Sequence, residues 1–115
     1  MTNLEIIRKV NEGFAEGNTE KIMQYVSDDV QRNVIGVSCS NRKKIFGKEI
    51  SNDFFIDRPT IKIKNEIEKG DWIAVEGEVQ CKIPGGDMLD AFFFDVYHLK
   101  NGKIQEIRSY VIEKK

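Results

Sequence analysis

Asp95 stands inside FFFDVYHL (residues 92–99), a run of aromatic and aliphatic residues that reads as a strand. Aspartate is depleted in strands, and a carboxylate buried without a partner is costly. Two roles fit such a residue. In a desolvated pocket its pKa rises, and it serves as an acid or hydrogen-bond donor toward a ligand carbonyl, or as a base once ionised. Otherwise it is a structural carboxylate bonded to a nearby hydroxyl or to Arg32.

Few other residues in the chain have the types for chemistry. Tyr97 lies two residues from Asp95, on the same face of a strand, and offers a phenol donor. Ser109 bonds either a ligand or Asp95. Tyr25 is a further phenol donor, or else packs in the core with its hydroxyl at the rim. Arg32 either points toward Asp95 and pairs with it or with an acidic ligand, or sits solvated at a sheet edge. The edge is the expectation, because a buried arginine needs a partner. His98, the chain's one histidine, alternates to the face opposite Asp95, which argues against an Asp–His dyad and for a rim or interface histidine. Cys39 and Cys81 with one histidine do not make a four-ligand zinc site, so neither a metal nor a cofactor is expected. Pro84-Gly85-Gly86 opens a hairpin rather than a helix and is read as a turn, not a phosphate loop. Arg42-Lys43-Lys44 reads as a solvated loop.

These residues need elements to position them. Thr2 and Glu5 form a capping box, followed by an apolar stripe at Leu4, Ile7, Val10 and Phe14 and a terminating Gly17. Asn18 caps a second helix expected over Thr19–Val26. A short strand is expected over Val30–Ile35, then an irregular segment Gly36–Gly47 and a third helix Lys48–Phe55 stopped before Pro59. From Thr60 the period changes to 2. Ile61, Ile63 and Ile67 form one half-buried face, and Ile73, Val75, Gly77, Val79, Cys81 and Ile83 another. Leu89–Leu99 and Ile104–Ile112 are the last strands, joined at Asn101-Gly102, a strong hairpin signal. The order predicts an α+β fold: N-terminal helices packed on one face of a curved, mostly antiparallel sheet, in one domain over residues 1–115.

Composition narrows the function classes. The chain has 115 residues, 40% hydrophobic and 32% charged, as in a globular domain. Eighteen basic and nineteen acidic residues give a net charge of −1, which argues against a nucleic-acid surface. No apolar run reaches the length of a signal or membrane segment, and two cysteines are no disulfide framework, so a cytoplasmic protein is expected. The last hairpin has two apolar faces. The helices cover the one with Phe93, Asp95 and Tyr97. The other carries Phe92, Phe94, Val96, Tyr110 and Ile112, more than a monomer usually exposes. A homodimer through that outer face is expected, with cover by the C-terminal tail or the irregular loop as the alternative.

Three segments, FAEGNTEKIMQYVSDDV (14–30), GKEISNDFF (47–55) and FDVYHLKNGKIQEIRSY (94–110), in this order and spacing, resemble the nuclear transport factor 2-like superfamily. Its members include ketosteroid isomerases, limonene epoxide hydrolases and SnoaL-like polyketide cyclases. The resemblance covers essentially the whole chain and implies a cone-shaped fold enclosing a pocket open at one end. It also implies roles residue by residue. Asp95 matches the isomerase aspartate that, protonated, donates to the substrate oxyanion, and Tyr97 matches an aromatic pocket wall. Val10, Val34 and Phe55 fall where the isomerases have an oxyanion-hole tyrosine, a general-base aspartate and a supporting tyrosine. Ser109 falls near an aspartate of the epoxide hydrolases. The scaffold is therefore kept with a single pocket acid, and fold alone does not fix function.

The candidate catalytic residue is Asp95. The candidate ligand-binding residues are Phe14, Tyr25, Arg32, Val34, Phe55, Phe93, Tyr97, Ile107, Ser109 and Val111. The expected ligand is a small hydrophobic molecule, turned over by isomerase- or cyclase-like acid–base chemistry. The alternative is a non-catalytic ligand-binding or dimerisation module.

Overall fold

A computed structural model describes residues 1–34, 38–40, 59–82 and 88–114 of the chain. Helix α1 (Asn3–Glu16) begins at the expected capping box: Glu5 N–H donates to Thr2 Oγ1 at 3.1 Å, and Thr2 N–H to Glu5 Oε1 at 3.2 Å. It ends at Gly17, whose φ of 67° is the left-handed conformation that glycine adopts without penalty. Ile6, Ile7, Val10 and Gly13 are its buried face. Helix α2 (Thr19–Met23) is capped by Asn18 Oδ1, which accepts from Lys21 N–H. It is shorter than expected. Tyr25 O accepts from Ile104 N at 2.7 Å, and Val26 already pairs with Ile104 as the first residue of strand β1 (Val26–Val34). A long-range strand partner overrides the local helical pattern there.

The remaining strands are β2 (Ser38–Ser40), β3 (Thr60–Lys69), β4 (Trp72–Lys82), β5 (Met88–Lys100) and β6 (Lys103–Glu113). They form one mixed sheet in the order β2-β1-β6-β5-β4-β3. All pairs are antiparallel except β1 with β6, which is parallel. The expected meander β3–β6 is therefore present, with β1 added alongside β6. Strand β2 lies where an irregular segment was expected. Ser38-Cys39-Ser40 has no apolar alternation to announce a strand, but its backbone pairs with Asn33 and its neighbours along the far edge of β1. The expected helix Lys48–Phe55, the turn Pro84–Asp87 and the basic triplet Arg42-Lys43-Lys44 lie outside the described residues.

Asn101 (φ 53°) and Gly102 (φ 75°) turn the β5–β6 hairpin. Two consecutive positive φ values are what a tight hairpin of this twist requires. The β3–β4 pair contains a bulge between Ile63 and Asn65. Ile63 pairs with Gly77 before it, whereas Glu66 pairs with Val75 and Ile67 with Ala74 after it. The inserted residue moves the rest of β3 to the opposite face. Glu66 thus turns to the helices, where Arg8 of α1 bonds it at 2.9 Å. Ile67, expected on the buried stripe, is instead 58% exposed on the outer face.

The core lies between the helices and the inner face of the sheet. Ile7, Val10 and Ile22 of the helices meet Val26, Val30, Ile73, Val75, Leu99, Ile104 and Tyr97, all at 1% exposure or less. Burying each such side chain contributes roughly 1.5–3 kcal/mol. Two glycines allow close approaches. A methyl on Gly13 would lie 2.7 Å from Ile22 Cγ1, so α1 and α2 meet closely there. A methyl on Gly77 would lie 2.3 Å from the Lys62 carbonyl oxygen and 2.8 Å from Phe93 Cζ. The Phe93 ring therefore rests on the bare backbone of β4.

Candidate functional site

Toward one end of the sheet the described residues leave the inner face unfilled. A cavity of about 90 Å³ remains there, walled by strands β1, β3, β4, β5 and β6 and capped by α1. Period-2 geometry puts Phe93, Asp95 and Tyr97 of β5 on its floor, next to Ile107, Ser109 and Val111 of β6. Register brings the key groups together. Asp95 sits directly opposite Ser109 on β6 and Val75 on β4. Arg32 of β1 is aligned with Ile107, one place along the same face.

Asp95 is half-buried by surface area, and protein surrounds it on nearly every side. The two descriptions agree because the surface it keeps faces the cavity it lines. Loss of hydration pushes its carboxyl up to about 6, against the pull of a hydrogen bond from Ser109, the positive charge of Arg32 and a hydrogen bond from Tyr97. The Tyr97 hydroxyl lies 3.5 Å from Asp95 Oδ2. Burial, and then the adjacent carboxylate, holds the Tyr97 phenol well above its usual range, so it stays a donor. Asp95 therefore gives up its proton closer to neutral pH than an ordinary aspartate does. Both forms needed for proton transfer are thus available in one narrow pH range.

The structure brings together eight of the candidate residues: Phe14, Arg32, Phe93, Asp95, Tyr97, Ile107, Ser109 and Val111 all line the cavity. Arg32 corrects the edge expectation. At 5% exposure it is buried, because β2 covers the far side of β1 and the parallel register with β6 turns Arg32 inward. Tyr25 takes the packing alternative rather than the ligand-binding one. It packs against the core from outside the cavity wall, with its hydroxyl 3.8 Å from Met1 Sδ. Its place at the junction of α2 and β1 fixes its backbone to Ile104 and carries the ring away from the pocket. The Val34 side chain and the whole of Phe55 lie outside the described residues. The backbone of Val34 is aligned with Ser109.

Sequence reasoning missed Asn11, Pro59, Ile61 and Val79, which are the other described residues of the wall. Ile61 and Val79 carried a signal, as inward positions of alternating strands. Asn11 carried one too. With Leu4, Ile7 and Phe14 it follows a three-and-four spacing, so a polar residue interrupts the apolar stripe of α1. Among the described residues, no group of three or more His, Cys, Asp or Glu side chains is placed to hold a metal ion.

The opposite face of the same hairpin is different. Phe92, Phe94, Tyr110 and Ile112 are 50%, 37%, 38% and 67% exposed, and Val96 is half-buried between them. Phe94 and Tyr110 meet edge to face at 6.3 Å. His98 lies on this outer face, stacked on Trp72 at 4.4 Å, with Arg108 over the Trp72 ring. From the C-terminal segment Lys114 places its ammonium 4.9 Å from the Phe92 ring and leaves the patch open.

An α+β cone whose described helices, α1 and α2, pack on a curved mixed sheet, with an acid at the floor of its cavity, defines a class of small pocket-forming domains. The chain belongs to the SnoaL-like domain family, whose model matches residues 7–107. Comparison with the curated proteins gives no match. Solved structures share the fold at low identity. A candidate SnoaL-like polyketide cyclase from Jannaschia sp. CCS1 is 14% identical with a TM-score of 0.83, over 95% of this chain and 84% of that one. An LEH-like epoxide hydrolase from M. tuberculosis is 14% identical with a TM-score of 0.82, over 95% and 81%. A hypothetical protein with a ketosteroid isomerase-like fold from Catenulispora acidiphila, in complex with trimethylamine, is 13% identical with a TM-score of 0.80, over 92% and 84%. At such identities the likeness is one of fold. For this chain, no helix among the described residues is long and apolar enough to cross a membrane.

Proposed function

We propose that this SnoaL-like domain binds a small hydrophobic carbonyl compound in its cone pocket and moves a proton on it through Asp95. One observation carries the reading: a carboxyl at the floor of an apolar cavity, pushed up to about 6 by burial. Ionised Asp95 takes a proton from the carbon beside the ligand carbonyl. The protonated form then returns that proton to another carbon of the same ligand, so no co-reactant is consumed. Arg32 supplies the fixed positive charge that offsets the negative charge developing on the ligand oxygen. Tyr97 and Ser109 hold the Asp95 carboxylate in place. Neighbours described as a polyketide cyclase and an epoxide hydrolase use the same fold, which is consistent with a ligand in this pocket.

The test is Asp95→Asn. Screened against small enones and β-dicarbonyl compounds, wild-type protein exchanges or shifts a proton of at least one of them. The Asn variant keeps ligand binding and loses the exchange by roughly a hundredfold or more. Equal exchange in both proteins removes Asp95 from the chemistry.

A second reading rests on the outer face. The exposed aromatic patch of β5 and β6 supports association of two copies of the chain through Phe92, Phe94, Val96, Tyr110 and Ile112. In that reading the domain is a dimeric binding or assembly module. Valine at positions 10 and 34, where the resemblance sets a tyrosine and an aspartate of the ketosteroid isomerases, fits a domain with less catalytic equipment.

A further inference from the structure

At the hairpin-turn end of the outer face, two basic side chains share one ring and one carboxylate. Trp72 of β4 and Glu106 of β6 lie directly opposite His98 of β5, one on each side. The His98 and Trp72 rings stack with centroids 4.4 Å apart and planes 22° from parallel. Arg108, the next outward residue of β6, sets its guanidinium carbon 5.4 Å from the centre of the same Trp72 ring. Its Nε lies 3.0 Å from Glu106 Oε2, yet that buried nitrogen has no hydrogen-bond partner. The pair is therefore close without the alignment of a hydrogen bond. By register, the other charged groups near His98 among the described residues are Lys69 and Asp71 at the β3–β4 turn, Lys100 and Lys103 at the β5–β6 turn, and Asp29 of β1, which accepts from Gln105 at 2.8 Å. None of them stands opposite His98 in the ladder.

Histidine is the side chain whose charge ordinarily changes between pH 5 and 8. While His98 is neutral, Arg108 is the one cation of the cluster, and it has both the π-face of Trp72 and the charge of Glu106. Once His98 is charged, two cations compete for one ring and one carboxylate. Geometry decides the competition. Residues directly opposite on neighbouring strands stand closer than residues two apart along one strand, roughly 5 Å against 7 Å. Glu106 faces His98 in the first way and Arg108 in the second. His98 is also already stacked on Trp72. The imidazolium keeps the ring and gains the carboxylate, and the longer Arg108 side chain gives way. We propose that His98 is a proton-operated switch for the outer face: on protonation it takes Glu106 from Arg108, and the freed guanidinium moves over Val96 and Tyr110, so that two copies of the chain associate less readily. The consequence for association rests on the second reading above, in which a second copy covers this face. Val96 is directly opposite Arg108, and Tyr110 is the next outward residue of β6, so both begin the apolar patch. A guanidinium without a carboxylate there must lose its water when the patch is covered. Pairing through the same patch on both copies also brings in the added charge of His98 twice.

The exchange is read on the ¹⁵N-labelled Ile112→Lys variant, whose added charge in the patch keeps copies apart. At pH 8 the Arg108 Nε–H signal is expected to stand away from the free-arginine position, through the Trp72 ring current. At pH 5.5 it is expected to lose most of that displacement. His98→Gln in the same background should hold the displacement at both pH values, and Glu106→Gln should reduce it at both. Asp95 also titrates near this range, on the other face of the sheet, and is intact in all these variants, so its contribution cancels in the comparison. Association is read by sedimentation equilibrium of the whole chain. From pH 8 to pH 5.5 the wild-type Kd is expected to rise roughly tenfold more than that of His98→Gln. An Arg108 signal that stays in place between the two pH values, or moves equally in His98→Gln, overturns the switch and leaves the association reading standing. Equal pH dependence of Kd in the two proteins overturns the switch as well. A wild-type chain that is monomeric at both pH values overturns the association reading, and the proposal with it.

Discussion

The two faces of the β5–β6 hairpin are made from the same nineteen-residue stretch, Phe92–Tyr110, and alternate residue by residue. Inward, Phe93 and Tyr97 are buried around a charged group that costs stability. Outward, Phe92, Phe94 and Tyr110 are apolar groups left in water. Each face departs from what folding alone would choose, in opposite directions. An acid among aromatics and aromatics in solvent are both unfavourable for an isolated protomer. In the reading proposed above, function enters at both departures: inside, through a polar group offered to a ligand, and outside, through apolar area offered to a second copy of the chain.

The largest effect should come from closing the inner face. Gly77→Ala places a methyl 2.3 Å from the Lys62 carbonyl and 2.8 Å from the Phe93 ring. The obstacle on one side is backbone, so β3 or the ring must move. A loss of about 3 kcal/mol in urea-denaturation stability is expected, together with altered ligand shifts at Phe93. A variant as stable as wild type would show that Phe93 does not rest on β4.

Next comes the acid itself. Asp95 has a folded pKa of about 6, above its ordinary 3.8. Below the ordinary value both states are protonated and Asp95 adds no pH dependence. As pH rises from about 4 to 6, the unfolded chain ionises first while the folded protein keeps its proton. Stability therefore falls across that window and stays low above it, by about 3 kcal/mol. Asp95→Asn mimics the protonated form, so the variant should match wild type near pH 4 and exceed it by up to about 3 kcal/mol at pH 8. Denaturation series at the two pH values read the difference. A variant no more stable than wild type at pH 8 would mean that Arg32, Ser109 and Tyr97 fully offset the burial of the charge.

How much of this was legible depended on whether a feature is local. The β5–β6 hairpin and its facing followed from period 2 and Asn101-Gly102, and the start and stop of α1 from Thr2, Glu5 and Gly17. Features set by register were hidden. Ile67 moved outward because of a bulge that no residue type announces, and Arg32 turned inward because β1 pairs in parallel with a strand seventy-five residues away, at Ile107. Ser38–Ser40 became a strand through pairing alone. Asn11 was legible in principle as the polar break in an apolar stripe, but a helix surface full of polar residues makes one asparagine easy to pass over. Asp95 was found because its type contradicted its surroundings, and such contradictions survive without knowledge of the register.

The smallest effect on the protomer, and the sharpest test of the outer face, comes from Ile112→Lys. Ile112 is 67% exposed, so its loss should change the stability of an isolated protomer by no more than about 0.5 kcal/mol. It nevertheless sits beside Phe92 across the hairpin, at one end of the apolar row that Tyr110 and Phe94 continue. If two copies pair through this face, each lysine is carried into the apolar contact, and the cost appears only in association. Sedimentation equilibrium should then show wild-type dimers and Ile112→Lys monomers at the same concentration. Denaturation at low concentration, where both are monomers, should give nearly equal stabilities. A wild-type protein that stays monomeric at high concentration would mean that the outer aromatics serve no second copy of the chain.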